Sequence, residues 1–392
     1  MAIDRLSFGC RGRRTRNNQP LGEMIMVEAV YVPVNTLTAF TIDVLMKMGV
    51  PRTDAEIASD VLLASDLYGV LSHGIAHLRW YHQRIKTGLQ QAVTCWTIVT
   101  EGPTTAVIDG GNGMGMVVGY HAMKLAIRKA RQYGVAAVAV RNSSHYGIAG
   151  YYTRMAVREG MAGMSFTNAH PSIAPTFGVH PMLGTNPIAF SAPTDEEFPF
   201  SFDAATSIAP RGKIEIAARA HKPIPAGWVI NEEGLPATDS SKMIEDMNQG
   251  KAALLPLGGS GELMGGHKGY GLATMVEIFS SAFQDGAFLS QLQDRDAAGN
   301  PRPSRIGHFF LAINIGSFVP LEHFRNTAGS ILRELRAYSK GPGEQQIYTA
   351  GEKAYDHEVR AMREGIRIPP SIQRALNALR TELNVTGHNL GF

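Results

Sequence analysis

Cysteine is nearly missing from this chain of 392 residues, with Cys10 and Cys95 the two present. Two thiols, one of them in a basic terminal stretch, make neither a disulfide framework nor a metal cluster, and point to a reducing, cytoplasmic setting. Long apolar runs are lacking as well. The longest, such as residues 134–140, fall far short of the roughly 20 residues that span a bilayer, so no membrane partner is expected. Neither sign of charge dominates, since 37 Lys and Arg stand against 34 Asp and Glu for a net charge of +3. Part of that excess lies in Arg5, Arg11, Arg13, Arg14 and Arg16, which leaves a near-neutral body and no expectation of a nucleic-acid partner. The cluster reads as part of a disordered extension over residues 1–31 or as an upstream start, Met24 and Met26 being alternatives; a targeting peptide is the other reading. Both standard nucleotide fingerprints are missing too. Gly259-Ser260-Gly261 runs into Glu262-Leu263-Met264 without a third glycine, and no Gly-Lys-Ser or Gly-Lys-Thr occurs.

Residues of hydrophobic type make up 44% of the chain, enough for a large core in two domains or in one with an appendage. Apolar spacing predicts helices over 35–48, 53–68, 78–86, 116–132 and 149–158. The second opens on Thr53-Asp54-Ala55-Glu56, a capping-box pattern, and Gly134 is a C-cap candidate for the fourth. Extended segments are expected over 94–108, 135–140, 163–167, 188–192, 198–202 and 308–315. Residues 227–239 read as turns, 286–306 as a polar surface excursion. A helix over 270–284 and three more over 320–337, 353–364 and 371–383 complete the chain. Strands alternating with helices indicate an α/β layered core.

Three loops of small polar residues stand out between these elements: Ser72-His73-Gly74, Asn142-Ser143-Ser144-His145-Tyr146-Gly147 and Gly184-Thr185-Asn186-Pro187. Such loops carry function on a rigid scaffold. His73 is the first acid/base candidate, because an imidazole both gives and takes a proton near neutral pH; a hydrogen-bonded structural histidine is the plainer reading. His77 follows at a four-residue spacing that two zinc ligands use, but without the glutamate of H-E-x-x-H. The glycine-dense segment 258–271 sets Lys268 beside close-approach glycines at a helix start, an anion site or simply a flexible loop. Asp203 falls at a strand end, where a buried carboxylate needs a partner, or else caps a turn, as Thr206 and Ser207 can.

Together with Asp203-Ala204-Ala205-Thr206-Ser207, Leu255-Pro256-Leu257-Gly258-Gly259 and Gly266-His267-Lys268-Gly269-Tyr270-Gly271, these loops resemble the malate/L-lactate dehydrogenase family, which is distinct from the Rossmann-type enzymes. The resemblance runs from about residue 32 to 383. It implies a three-layer α/β core with a mixed sheet of the sulfolactate dehydrogenase-like type, not a Rossmann fold, plus a helical domain drawn from both chain ends. The corresponding domains are 32–110 with 320–392 for the helical, substrate-binding part and 111–319 for the cofactor-binding part. It also implies a homodimer and NAD or NADP as cofactor, with NAD preferred. Hydride then passes between the nicotinamide and C2 of a small 2-oxo or 2-hydroxy acid. His73 becomes the proton donor and acceptor, Asp203 contacts the nicotinamide or orients the histidine, and Ser72, His145 and Asn186 line the pocket. Cofactor contacts come from Pro199, Phe200, Ser201, Phe202, Asp203, Ala204, Ala205, His267, Lys268, Gly351, Glu352 and Lys353. One departure bears on substrate: the family reads Ser-His-Gly-x-x-Arg, whereas here His77 takes the arginine's place and Arg79 follows two residues later. A neutral histidine lacks the bidentate fork for a carboxylate. Reduction of a cyclic imine acid is the alternative within the class; a metal-dependent hydrolase using His73 and His77, and a relative that binds nucleotide without turnover, are the others. No resident metal is expected.

Overall fold

The computed structural model describes residues 28–296 and 298–392; the arginine cluster, Cys10 and most of the expected basic extension lie outside them. Helix α1 (Val34–Lys47) buries Leu37, Phe40, Thr41, Val44 and Leu45, a spacing of three and four that turns one face inward. Helix α2 (Arg52–Leu67) starts one residue earlier than the capping-box pattern predicts. Pro51 stands at its N-cap with no side-chain bond, and Glu56 accepts instead from Arg52 Nε at 2.9 Å. Thr53 thereby falls inside the first turn, where its hydroxyl is out of place for capping. A compact turn carrying Ser72-His73-Gly74 then leads into α3 (Leu78–Lys86).

The main sheet has seven strands in the order β2 (Thr97–Glu101), β3 (Thr105–Asp109), β4 (Val135–Ser143), β11 (Ile306–Asn314), β5 (Met161–Thr167), β6 (Ile188–Ala192) and β7 (Phe200–Ala204). Only β3 and β4 run parallel; the other neighbours are antiparallel, so the sheet is mixed. Successive residues of β11 face opposite sides, as pleating requires. Phe310 and Ala312 join Val138 and Val140 of β4 in the core beneath α4 (Gly115–Tyr133) and α5 (Ala149–Arg158). Phe309 joins Ala139 and Phe166 against Val276 of α8 (Gly266–Ser281) on the other face. Helices on both faces of a mixed sheet make the three-layer core, and the single parallel pair sets it apart from a doubly wound Rossmann sheet.

Residues 227–239, read as turns, contain β8 (Val229–Ile230) and β9 (Pro236–Ala237), and β8 pairs on one side with β9 and on the other with β10 (Ala253–Leu254). With α6 (Arg211–Arg219) and α7 (Ser240–Asn248) they enclose a small core of Ile173, Leu183, Ile214, Ile224, Val229 and Met243. Neither nine-residue helix is expected from the sequence, since α6 buries Ile214 alone and α7 only Ser240 and Met243. Helices α9 (Leu321–Ala337), α10 (Glu352–Glu364) and α11 (Pro370–Glu382) end the chain. The two ends meet where β1 (Val30–Val32) pairs antiparallel with β12 (Ile366–Ile368), α10 packs on α2 and α11 on α3. Segment 286–306 is no mere surface excursion, for Leu292 and Ser304 are buried. Among the described residues no helix is long and apolar enough to cross a membrane.

Candidate active site

The turn after α2 is fixed from below by a buried carboxyl. Asp66 Oδ2 accepts from the Ile75 amide at 2.9 Å, while Oδ1 has no hydrogen-bond partner among the described residues. Gly74 lies directly on this carboxyl: a Cβ there would sit 2.1 Å from Oδ1, so no larger residue fits. Burial pushes the Asp66 carboxyl up to about 7, against the lowering effect of the Ile75 amide. The turn so supported presents His73, whose Nδ1 lies 2.9 Å from Ser72 Oγ.

Two further imidazoles meet it there. The His73 ring centroid is 5.5 Å from that of His145 and 5.9 Å from that of His77, and His77 and His145 are 5.4 Å apart. Sequence separation hides this triangle, because His145 comes from the loop between β4 and α5. All three rings are only partly buried, yet protein packs closely about them. Burial, then the charge of His77, lowers His73 to about 4; burial lowers His77; and burial, then its two neighbours, holds His145 well below the ordinary imidazole range. The cluster is therefore neutral at pH 7. Wholly buried Tyr81 of α3 brings its hydroxyl to 2.6 Å from His145 Nδ1, and the Gly147 amide also donates to Nδ1, at 3.4 Å. An amide N–H can only donate, so Nδ1 is the acceptor and Nε2 carries the proton of the neutral ring. Tyr81 has its pKa raised by burial and stays protonated.

The other cation of this face is Arg84, which the sequence did not single out. It is 5% exposed and stacks on Trp80, its guanidinium carbon 4.8 Å from the ring centroid; Trp80 in turn meets His145 edge-on at 5.8 Å. Asp294 receives bonds of 2.6 and 2.8 Å from Arg84 Nη1 and Nη2, and Ser304 Oγ one of 2.7 Å from Nη2. Ser304 also donates to Asp294 at 2.6 Å and lies 3.1 Å from His170 Nε2. Burial alone would raise the Asp294 carboxyl, but Arg84, His170 and Ser304 together hold it below the usual carboxylate range. Arg79, offered above as a substitute fork, is exposed and forms no hydrogen bond or ion pair among the described residues.

Two expected pocket residues behave differently. Asn186 is 0% exposed, and its Nδ2 donates to Glu277 Oε2 at 2.8 Å and to the Ala273 carbonyl at 3.0 Å. These bonds tie its loop to α8, while its Oδ1 is buried without a hydrogen-bond partner among the described residues. Asp203 lies within β7 rather than beyond a strand end. The residue keeps solvent contact on this edge strand, while its carboxyl sinks against α5, accepts from the Gly150 amide at 2.7 Å and is pushed by burial up to about 6. Gly150 follows the His145 loop by a few residues, so Asp203 ties the start of α5, next to that loop, to β7. His308, by contrast, is a core histidine: it stacks on Tyr146 at 4.4 Å, and Thr167 and Ser143 engage both of its nitrogens.

A cofactor-sized rim runs along β7. Gly351, at the N-cap of α10, abuts it so closely that a Cβ would lie 2.5 Å from the Pro199 carbonyl, and the Ser201 amide bonds to Ala350 O at 3.1 Å. Phe200, Tyr338, Ile347 and Tyr348 line a cavity of about 470 Å³ beside them. Lys353 is exposed with its Nζ 4.2 Å from the Tyr348 ring centroid. Glu352 is buried and occupied by the Thr349 amide and Gln346, so its part is to shape the rim. Beyond β7 the chain runs beside residues 255–257, with Leu257 N donating to Thr206 O at 2.8 Å, and those residues lead into the glycine loop. Gly258, Gly259, Gly261 and Gly265 all take positive φ, and a Cβ on Gly266 would lie 2.0 Å from the Gly259 carbonyl. The loop delivers exposed His267 and Lys268 in the first turn of α8, one turn earlier than the predicted helix start. A helix N-terminus with a free ammonium beside it suits a phosphate or ribose oxygen. These residues fit a dinucleotide, with aromatic surface at one end and an anion cradle at the other.

Comparison with known proteins gives concordant matches. Residues 32–377 match the malate/L-lactate dehydrogenase family. A malate dehydrogenase of Pyrococcus horikoshii is 44% identical over 358 residues, 91% of this chain and 97% of its own length. An L-sulfolactate dehydrogenase of Methanocaldococcus jannaschii is 38% identical, covering 88% of this chain and 94% of its own. Among solved structures, the malate dehydrogenase of Entamoeba histolytica superposes with a TM-score of 0.88 at 41% identity, over 92% of this chain and 99% of that one.

Proposed function

This chain belongs to the malate/L-lactate dehydrogenase family, and from that premise we propose how its own residues carry the reaction. It is a nicotinamide-dependent oxidoreductase that interconverts a small 2-hydroxy acid and its 2-oxo acid. A bound nicotinamide ring supplies or accepts the hydride at C2. The protein's part is to hold the acid, exclude water and move one proton at the C2 oxygen. His73 takes that proton from the hydroxyl in oxidation and returns it in reduction. Its Nδ1 faces Ser72, leaving Nε2 as the nitrogen that meets substrate. The carrying observation is the triangle of imidazoles: three titratable rings within 5.9 Å of one another. A carboxylate brought among them raises their pKa values and readies a proton for transfer.

A second reading rests on the fixed tautomer of His145. With Tyr81 and Gly147 both at Nδ1, its Nε2–H is a ready donor to the same oxygen and could supply the proton in His73's stead. Asp203 and the β7 rim are proposed to face the cofactor, and Lys268 to pair with a phosphate or ribose oxygen. NAD is the form we propose, on the resemblance alone. A second copy of the chain is the proposed cover for exposed Phe177, Leu263, Met264 and Phe283. Cyclic imine acids have less support, since the relatives described above are named for hydroxy acids. The hydrolase reading is set aside: the His73 and His77 rings stack at 14°, and no group of three ligating side chains among the described residues could hold a metal.

The deciding assay is oxidation of NADH and of NADPH at 340 nm against oxaloacetate, pyruvate, other 2-oxo acids and piperideine-2-carboxylate. Turnover of a 2-oxo acid with NADH is expected. Turnover confined to the imine, or to NADPH, would overturn the substrate class or the cofactor choice respectively.

A further inference from the structure

Position 77 lacks the arginine of the family pattern, so an anionic substrate needs a different cation. Residues 77, 80, 81 and 84 follow one another at intervals of three and four, and so share a face of the turn and α3. Along that face Arg84 is tied to the imidazole cluster through Trp80 and His145. Its guanidinium already holds a carboxylate in the bidentate fork that suits such a ligand. That carboxylate belongs to Asp294, whose side chain is 34% exposed while that of Arg84 is 6% exposed. Asp294 comes from the 286–306 segment, with no element of regular helix or strand beneath it beyond a single short turn at Leu289–Leu292. The guanidinium also keeps one donor in reserve, since Nε is buried without an acceptor among the described residues.

Resting on the 2-hydroxy-acid dehydrogenase reading, we propose that Arg84 determines specificity by receiving the second anionic group of a dianionic 2-oxo acid, and that Asp294 competes with that group for the same fork. The substrate class is an acid bearing a carboxylate or sulfonate on C3 in addition to the C1 carboxylate. With Asp294 in the fork the guanidinium is electrically balanced; a second carboxylate enters only by taking over the bonds Asp294 makes. Ser304 and His170 line the place it vacates and supply further polar contacts. Malate and sulfolactate, for which two relatives are named, both carry such a second group.

Steady-state kinetics of the full chain with oxaloacetate and pyruvate test this. Asp294→Asn removes the competing charge and is expected to lower KM for oxaloacetate by about tenfold with pyruvate unchanged, the size of one charged hydrogen-bonding partner. Arg84→Gln is expected to raise KM for oxaloacetate by about tenfold or more, again sparing pyruvate. Equal losses with both acids in either variant would overturn the proposal, because a merely structural ion pair does not distinguish them. Should Arg84→Gln fail to fold, Asp294→Asn decides alone. Absence of turnover with any 2-oxo acid in the unaltered protein would defeat the dehydrogenase reading instead. The fork is then judged by calorimetry with malonate and acetate: tighter malonate binding to Asp294→Asn than to the unaltered chain supports it, and equal or weaker binding overturns it.

Discussion

The imidazole cluster and the glycine loop are built on opposite plans. His73, His77, Tyr81, Arg84, His145 and Asp294 come from four stretches of chain and owe their positions to tertiary contacts. The loop at 257–269 is local: its shape follows from glycines with positive φ and from a Gly266 that a single methyl group would force against the Gly259 carbonyl. One region concentrates side-chain chemistry in rings desolvated by packing. The other offers backbone amides and leaves its charged side chains in water. Proton handling and anion holding should therefore fail separately, the first through kcat and the second through cofactor affinity.

Breaking the cluster has the largest expected effect. His73→Ala is predicted to lower kcat by about 10²-fold or more while cofactor affinity, read by fluorescence titration, stays near that of the unaltered protein. Near-normal turnover would take the proton away from His73 and leave it to His145. Next is the loop's own weak point. Gly266→Ala places its Cβ 2.0 Å from a backbone oxygen that cannot step aside, and is predicted to destabilise by about 1–3 kcal/mol and to weaken cofactor binding; a Tm equal to that of the unaltered chain would refute the close approach. Lys268→Ala is predicted to raise the cofactor KM by about tenfold with kcat retained, and a kcat loss without a KM change would put Lys268 on the wrong side of the comparison.

Smaller effects sharpen it. The folded-state pKa of Asp66 is about 7 against an ordinary 3.8, so between those values the folded chain keeps a proton that the unfolded chain has released. Stability therefore falls as pH rises through that window, by up to about 1.4 kcal/mol per pH unit for a single proton, and no further above it. Asp66→Asn keeps an acceptor for the Ile75 amide and is predicted to lose this contribution, seen as a flatter denaturation midpoint between pH 4 and 7; an unchanged slope would remove Asp66 as its source. His77→Arg restores the family's arginine at a position whose present ring lies 5.9 Å from that of His73 and is predicted to improve use of malate or lactate several-fold. An unaltered substrate profile would show that position 77 does not meet the carboxylate.

Much of the scaffold was legible because it rests on local periodicity. The helix predicted over 78–86 and the strand over 188–192 have those same bounds, and the Gly134 C-cap takes the expected positive φ. The capping box failed because Pro51, two residues upstream of Thr53, starts the helix for a different local reason. Helices α6 and α7 were missed because a nine-residue element burying one or two side chains leaves no stripe to read. At the site, His73, His145 and Lys268 stood out through the loops that hold them. Arg84, Asp294 and Tyr81 did not, since Tyr81 and Arg84 lie inside an ordinary amphipathic pattern, Asp294 lies in a polar stretch, and each gains its meaning only from a partner far along the chain. A signal was present in hindsight: Trp80, Tyr81 and Arg84 continue the face begun by His77 at helical spacing. Asn186 shows what such a motif leaves open: its amide nitrogen turns to Glu277 and the Ala273 carbonyl, which a small polar loop does not foretell.

The position of β11 governs how the molecule can come into being during synthesis. This strand, starting at Ile306, is the wedge between β4 and β5, so until three quarters of the chain has left the ribosome those two earlier strands share no neighbour. Each then presents an unpaired, largely apolar edge of the kind that recruits other chains. The nascent chain, rather than the finished enzyme, is thereby the form most exposed to aggregation.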